Sequence, residues 1–339
     1  MKIAVFEIEE RDRAGFEKLG KEEHEFSFSE GPLSPEIADR YADSDIIVVS
    51  IYSETDRKLL EKFRKLKLIA TRSTGYDHID VNYCRERDIA VSNVPFYAER
   101  TVAEHVFALL LAISHKLEES LDRTRKGDFS QKGLTGFDLY GKTLGVLGTG
   151  NIGQAVIGIA RGFGMNVLAY DVKRVARDPG FRYASLDEVL SSSDIISVHV
   201  PGGPGTFHFL SDEEFGKMRK GTVLINTSRG DVVDTKALLK AIAEGTIAGA
   251  GLDVLEEEPA IREEAELLSS IFQREHNLGT LLADHILLRL RNVIITPHNA
   301  FNTREALDRI YEVTIENLRG FLEGKPKNLV AQAPQPALP

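Results

Sequence analysis

The stretch GVLGTGNIGQAVIGIARGFGMNVLAYD, residues 145–171, decides the fold. It opens on an apolar strand and passes through Gly148, Gly150 and Gly153 in a G-x-G-x-x-G pattern. A helical segment follows, then a second apolar strand that ends at Asp171, eighteen residues past Gly153. The three glycines alone are weak evidence, because an ordinary tight strand–helix turn uses them too. Strand, glycine turn, helix and strand-end carboxylate in this order form a cradle for a dinucleotide. The glycines let backbone approach a pyrophosphate, and the helix N-terminus offers unpaired N–H groups and positive dipole. Asp171 suits the free ribose hydroxyls of NAD and would repel the 2′-phosphate of NADP. Lys173 and Arg174 stand nearby and pull the other way.

Outward from this stretch the chain alternates strand and helix signals. Downstream strand candidates are DIISVHV (194–200), TVLINTS (222–228), AGAGLDVL (248–255) and NVIITPH (292–298). Upstream they are KIAVFE, DIIVVSIY, KLIATRS and IAVSNV, separated by charged, helix-like segments such as ETDRKLLEKFRKL. Apolar strands interleaved with helices imply parallel sheets covered on both faces, an α/β architecture. A long helix is expected from about 101 and another over TREALDRIYEVTIENLRGFLEG. The Pro-rich end, residues 331–339, reads as a flexible tail.

Composition excludes several function classes. At 339 residues with 42% hydrophobic content, the chain can bury two cores. A net charge of -10 without long like-charge runs argues against nucleic-acid binding, which needs a basic face. The apolar run VFALLLAI is too short to cross a membrane. Cys84 is the single cysteine, so no internal disulfide forms and a reducing compartment fits. The start, MKIAVFEIEE, reads as a strand followed by charge rather than a signal peptide, so the cytoplasm is the expected location.

In open α/β sheets, ligands lie beyond the carboxyl ends of the strands. Those ends carry His199-Val200-Pro201, Thr227-Ser228-Arg229, Asp253 followed by VLEEEP with Glu258, and Thr296-Pro297-His298. A guanidinium keeps its charge at ordinary pH, so Arg229 requires water or an anion. Histidine is suited to moving a proton near neutral pH, and a carboxylate can fix its tautomer and favour its charged form. A cation beside a carbonyl polarises it and can also hold a carboxylate. Arg229, Glu258 and His298 are therefore the candidate catalytic set, although spacing alone leaves a structural role equally open to each. His78 and His105 are candidates for structural or supporting roles. No metal-binding pattern is present.

Taken together, RSTGYDHID (72–80), VPFYAERTVAEH (94–105), LGTGNIG, HVP, NTSRGDVVD, GLDVLEEEP and TPHNAF resemble the D-isomer-specific 2-hydroxyacid dehydrogenase family. The resemblance covers nearly the whole chain. It implies two doubly wound parallel-sheet domains: a Rossmann-type dinucleotide domain over 101–300 and a smaller, flavodoxin-like substrate domain formed by 1–100 and 301–330. It further implies NAD as cofactor, a small 2-oxo or 2-hydroxy acid as substrate, an active site in the cleft, and a homodimer built mainly through the dinucleotide domain. Arg229, Glu258 and His298 match the family's catalytic arginine, acid and histidine. Thr74 and Gly75 would offer backbone N–H groups to the substrate carboxylate. Tyr97, Tyr52 and Phe301 would border the substrate. Thr101, Asn151, Ile152, Val200, Pro201, Thr206, Thr227 and Asp253 would join Gly148, Gly150, Gly153 and Asp171 around the cofactor.

The long helical stretch from Pro259 to Arg291, with YDHID, VPFY and AFNTREAL, looks most like the D-lactate dehydrogenase branch. That branch commonly carries an aromatic where Asn302 stands, so lactate, a larger D-2-hydroxy acid, and glyoxylate or hydroxypyruvate remain open as substrates. A corepressor-like branch that senses NAD(H) and binds peptide motifs also resembles the family and is the alternative of a different class.

Overall fold

The structure, a computed structural model, describes residues 1–8, 10–20, 23–53, 55–174, 180–256 and 278–331. The chain falls into two compact units: Met1–Tyr97 together with the chain from Thr303, and Ala98–Asn302.

The first unit holds β1 (Lys2–Val5), α1 (Glu10–Glu17), β2 (Glu25–Phe28), β3 (Ile46–Val49), α2 (Arg57–Leu60), β4 (Leu68–Thr71), α3 (Val81–Glu86) and β5 (Ala90–Ser92). The second holds α4 (Glu99–Ser114), α5 (Leu117–Arg125), β6 (Thr143–Leu147), α6 (Asn151–Gly162), β7 (Asn166–Tyr170), β8 (Arg182–Tyr183) and α7 (Leu186–Ser192). It continues with β9 (Ile195–Val198), α8 (Asp212–Lys217), β10 (Thr222–Asn226), α9 (Thr235–Ala243), β11 (Ile247–Leu252), α10 (Leu278–Leu287) and β12 (Val293–Ile295). The chain then returns to the first unit with α11 (Arg304–Leu322) and β13 (Leu329–Ala331).

The sheet of the second unit runs β12-β11-β10-β9-β6-β7-β8, with every pairing parallel. Numbered from β6, this is the doubly wound dinucleotide-binding order extended by one strand, and it reverses between β6 and β9. All four residues of β9 and all five of β10 are buried, as strands covered on both faces must be. The helix α6 turns Val156, Ile157 and Ala160 inward, onto a core that includes Val146, Val167 and Ile225.

The first unit's sheet runs β13-β5-β4-β3-β1-β2. Its parallel strands follow the flavodoxin-like order, which reverses between β1 and β3. The helix α11 starts at Thr303, whose hydroxyl accepts from the Ala306 amide at 3.3 Å. Its buried Leu318 joins Phe16, Ile46 and Leu68 in one core.

Three edge elements lie outside the expected strand set: β2, β8 and β13. Each is short and lies at the edge of its sheet, which weakens any periodic signal. The strand β13 is antiparallel to β5 and pairs Ala331 with Val91. The expected tail from 331 therefore begins one residue too early, and 332–339 lie outside the described residues. Of the stretch from Pro259 to Arg291, expected to be helical, 278–287 form α10 and 259–277 lie outside the described residues. Among the described residues, no helix is long and apolar enough to cross a membrane.

Candidate active site

The three glycines of the opening motif serve three different needs. Gly148 has φ +95, and a β-carbon there would stand 2.6 Å from the His199 carbonyl oxygen, across the point where the strand order reverses. A β-carbon at Gly153 would collide with the Gly148 carbonyl oxygen, so this glycine lets α6 pack tightly on its turn. Around Gly150 a β-carbon would meet nothing within 4 Å. Gly150 is the N-cap of α6 and supplies no side-chain cap, which leaves the first amides of that helix, including those of Asn151 and Ile152, facing open space. This cradle fits a pyrophosphate.

Asp171 ends β7 and is anchored to the same turn. Its carboxylate accepts from the Thr149 amide at 2.6 Å, the Thr149 hydroxyl at 3.0 Å and the Lys173 amide at 2.8 Å. Burial by itself would raise its pKa. The hydrogen bonds from Thr149, Lys173 and Val172 outweigh burial and hold it below the usual value of 3.8.

On the facing rim, Val200 packs against the core of the second unit and Pro201 is exposed. The Thr206 hydroxyl closes the loop by donating to the Pro201 carbonyl at 2.6 Å. Thr227 carries a buried hydroxyl without a hydrogen-bond partner among the described residues, a polar atom suited to a ligand. Thr101 is buried in the first turns of α4. His199 is largely enclosed, and its Nε2 lies 2.8 Å from the Ser197 hydroxyl. Desolvation drives its pKa down to about 3, so the ring is neutral at ordinary pH.

Arg229 follows β10 in extended backbone, φ −142 and ψ 147. Buried Asn226 brackets it: the Asn226 amide nitrogen donates to the Arg229 carbonyl at 2.8 Å, while its oxygen accepts from the Ser228 amide and hydroxyl. The guanidinium Nη1 donates to the Ser228 carbonyl at 2.8 Å. The aliphatic stem lies across Gly202, where a β-carbon would come within 2.8 Å of Arg229 Cγ. Gly230, the next residue, answers a backbone contact. A β-carbon there would run into the Leu255 carbonyl and stand 2.6 Å from the Glu256 amide nitrogen, so it serves the close approach of two backbones.

His298 occupies a tight turn with φ 50, and its amide donates to the Thr296 carbonyl at 2.9 Å. Asp253 is only 1% exposed and commits both carboxylate oxygens to this turn. One accepts from the Thr296 hydroxyl at 2.5 Å and the Asn299 amide at 3.0 Å, and the other from the Ala300 amide at 2.9 Å. His105 on α4 reaches the same cluster. Asp253, expected to line the cofactor, holds with its carboxylate the turn that carries His298. Glu258 lies outside the described residues. Glu256, two positions earlier, pairs with His208 at 2.9 Å and accepts from the Thr235 amide at 3.3 Å, which ties that segment to the start of α9. Phe301 is half-buried beside this turn. Among the described residues no cluster with metal-ligand chemistry appears.

In the first unit, Thr74 and Gly75 lie just after β4. The Thr74 carbonyl accepts from the Asn93 side chain at 2.8 Å, the Thr74 hydroxyl donates to the Val94 carbonyl at 2.8 Å, and Ser73 Oγ donates to the Gly75 carbonyl at 2.6 Å. Their amide hydrogens take no acceptor among the described residues, so the turn is braced with its donors outward. His78 braces it from below, 3.1 Å from the Thr71 hydroxyl. Tyr52 is 48% exposed on the loop after β3. That loop is gripped by Glu7, whose carboxylate accepts from the Ser50 amide at 3.1 Å, the Ser53 hydroxyl at 2.5 Å and the Tyr52 amide at 3.3 Å. Tyr97 is half-buried, and its carbonyl accepts from Arg309 Nε at 2.6 Å. Glu7, Asn93, Gly202 and Glu256 carry no sequence signal of these roles, because each acts on a loop distant in the chain.

Residues 107–300 match the model of the D-isomer specific 2-hydroxyacid dehydrogenase NAD binding domain. The chain belongs to that family. A D-lactate dehydrogenase of Escherichia coli is 33% identical, with 97% of this chain and 100% of that protein covered. A glyoxylate reductase of Korarchaeum cryptofilum is 38% identical, with 98% and 97% covered. Among solved structures, D-lactate dehydrogenase of Aquifex aeolicus, complexed with NAD and lactic acid, superposes with TM-score 0.86 at 36% identity, covering 97% of this chain and 98% of that one. This chain is accordingly an NAD-dependent oxidoreductase of the 2-hydroxyacid dehydrogenase family, and the cradle at Gly150 and Asp171 is where its residues fit the dinucleotide.

Proposed function

We propose that this dehydrogenase reduces pyruvate to D-lactate with NADH, reversibly. The observation that carries the reading is the shared rim of the second unit. Arg229 after β10 and the His298 turn after β12 stand at the same ends of the sheet as the glycine cradle after β6.

The roles follow from chemistry. NADH, when bound, supplies the hydride. Arg229 presents a planar fork of N–H donors that suits a carboxylate and an adjacent carbonyl oxygen. As the carbonyl carbon is reduced its oxygen gains negative charge, which the guanidinium stabilises. His298 donates the proton that this oxygen takes, and Glu258 favours the charged imidazole that holds it. The outward amides of Thr74 and Gly75 hold the substrate carboxylate. Tyr52, Tyr97 and Phe301 border its side chain. Asp171 accepts from the ribose and disfavours NADPH, which Asp171→Ala would relax. We further propose a cytoplasmic homodimer built through the second unit. Supporting it, α5 buries none of its residues, and Leu117 and Leu121 are 48% and 45% exposed. Sedimentation velocity reads this directly.

A second reading, reduction of glyoxylate or hydroxypyruvate, is favoured by the relative named glyoxylate reductase and by Asn302 in place of an aromatic. The test is a kcat/KM panel of pyruvate, glyoxylate, hydroxypyruvate and larger 2-oxo acids with NADH and NADPH, with the chirality of the product determined. Preference for pyruvate with formation of D-lactate is expected. Preference for glyoxylate selects the second reading. Absence of turnover with every acid removes both and leaves the NAD(H)-sensing corepressor alternative.

A further inference from the structure

The buried cluster behind His298 has a fixed direction. Asp253 Oδ1 accepts from the Thr296 hydroxyl at 2.5 Å, and that hydroxyl lies 3.1 Å from His105 Nε2. His105 Nε2 is 3.5 Å from the same carboxylate oxygen. A carboxylate only accepts hydrogen bonds, so the Thr296 proton points at Asp253. The Thr296 oxygen then faces His105 with a lone pair, and His105 Nε2 must carry a proton and donate it. The order His105 Nε2–H, Thr296 O–H, Asp253 Oδ1 is the arrangement that satisfies all three.

The end of this relay controls a strained turn. Asp253 also accepts from the Asn299 and Ala300 amides, which immediately follow His298. His298 sits at φ 50, a region disfavoured for any residue with a β-carbon. It persists because Thr296 on one side and Asn299 and Ala300 on the other are fixed to one buried carboxylate. His105 sits in α4, well away from His298 in sequence, and sets the rotor of the hydroxyl at the head of the turn.

We propose that His105 is a positioning residue for His298, acting through the Thr296 hydroxyl and Asp253. The inference rests on His298 being the proton donor, which His298→Ala tests separately through loss of activity. On the full chain, His105→Leu and Thr296→Val remove the relay, whereas His105→Gln keeps a donor near the Nε2 position and Thr296→Ser keeps the hydroxyl.

Two readouts apply: kcat at saturating NADH and 2-oxo acid, and amide hydrogen exchange at Asn299 and Ala300 in the substrate-free protein. His105→Leu and Thr296→Val are expected to lower kcat by about five- to tenfold, the scale of one lost buried hydrogen bond. They should speed exchange at both amides and leave NADH affinity unchanged. The double variant should be no worse than either single one, because both break the same chain. His105→Gln and Thr296→Ser should restore most of kcat. Should His105→Leu fold poorly, Thr296→Val carries the same test. Unchanged exchange at Asn299 and Ala300 would overturn the relay. Faster exchange with normal kcat would overturn its bearing on catalysis, and failure of Gln to rescue would reduce His105 to a packing residue.

Discussion

Gly230 is pressed against the backbone of Leu255: any β-carbon at 230 would run into the Leu255 carbonyl, and the next amide, of Glu256, lies only 2.6 Å from the same point. The loop that follows Arg229 thus takes its position from the segment after β11. Gly230→Ala should force the two backbones apart, at a cost of about 1–3 kcal/mol as for other overpacked sites. The expected outcome is a lower Tm together with a raised KM for the 2-oxo acid. A crystal structure or kinetics of the variant showing Arg229 function intact would separate the two loops.

Gly150 gives the opposite pattern. Its surroundings are open, its φ of −65 suits alanine, and an added methyl meets no protein atom. Gly150→Ala should therefore fold with an unchanged or slightly raised Tm. The methyl would occupy space that a pyrophosphate needs, so the Kd for NADH should rise, with calorimetry as the check. Normal NADH affinity would place the dinucleotide elsewhere.

Arg229→Gln should raise KM for the 2-oxo acid and lower kcat. Loss of charge-assisted bonds worth roughly 1.5–3 kcal/mol predicts a fall in kcat/KM of at least about tenfold. Arg229→Lys should recover only part, because an ammonium keeps the charge and loses the fork. NADH affinity should barely change. A marked drop in Tm with near-normal kinetics would assign Arg229 a structural role.

His199 predicts a pH dependence of stability. Its pKa is driven by desolvation from 6.5 to about 3. Between those values the unfolded chain binds a proton that the native ring does not. Stability from this residue is therefore constant above about pH 6.5 and falls as pH drops toward 3, by at most about 1.4 kcal/mol per pH unit. His199→Gln should flatten Tm between pH 7 and 5. Identical slopes in variant and parent would show that other groups set the acid limb.

The second unit was the most legible part of the sequence. Its central strands are continuous apolar runs, and the glycine turn at Gly148 with Asp171 at the next strand end marks the ligand end of the sheet. Edge strands were harder: EFSF at 25–28 and the pair Arg182–Tyr183 are too short to show a period. In the site, Arg229 and His298 were readable as side chains that need an anion or a proton partner. What braces them was not. The need for a glycine at 202 or 230 is set by an atom on another loop, and the link from His105 to Asp253 joins residues from opposite halves of the chain. Asp253 shows the limit well, since a strand-end carboxylate carries no sequence mark of the turn amides it accepts from.

The antiparallel strand β13 has a consequence for the order of assembly. It covers the outer edge of β5, yet it is made after the whole of the second unit. During synthesis the first unit emerges with β5 as an open sheet edge and without α11. The second unit, continuous in the chain, can close first and on its own. An uncovered edge is a template for pairing with another chain. The nascent first unit is thus exposed to misassembly in the interval before residues 329–331 are released, and β13 acts as a latch on that edge.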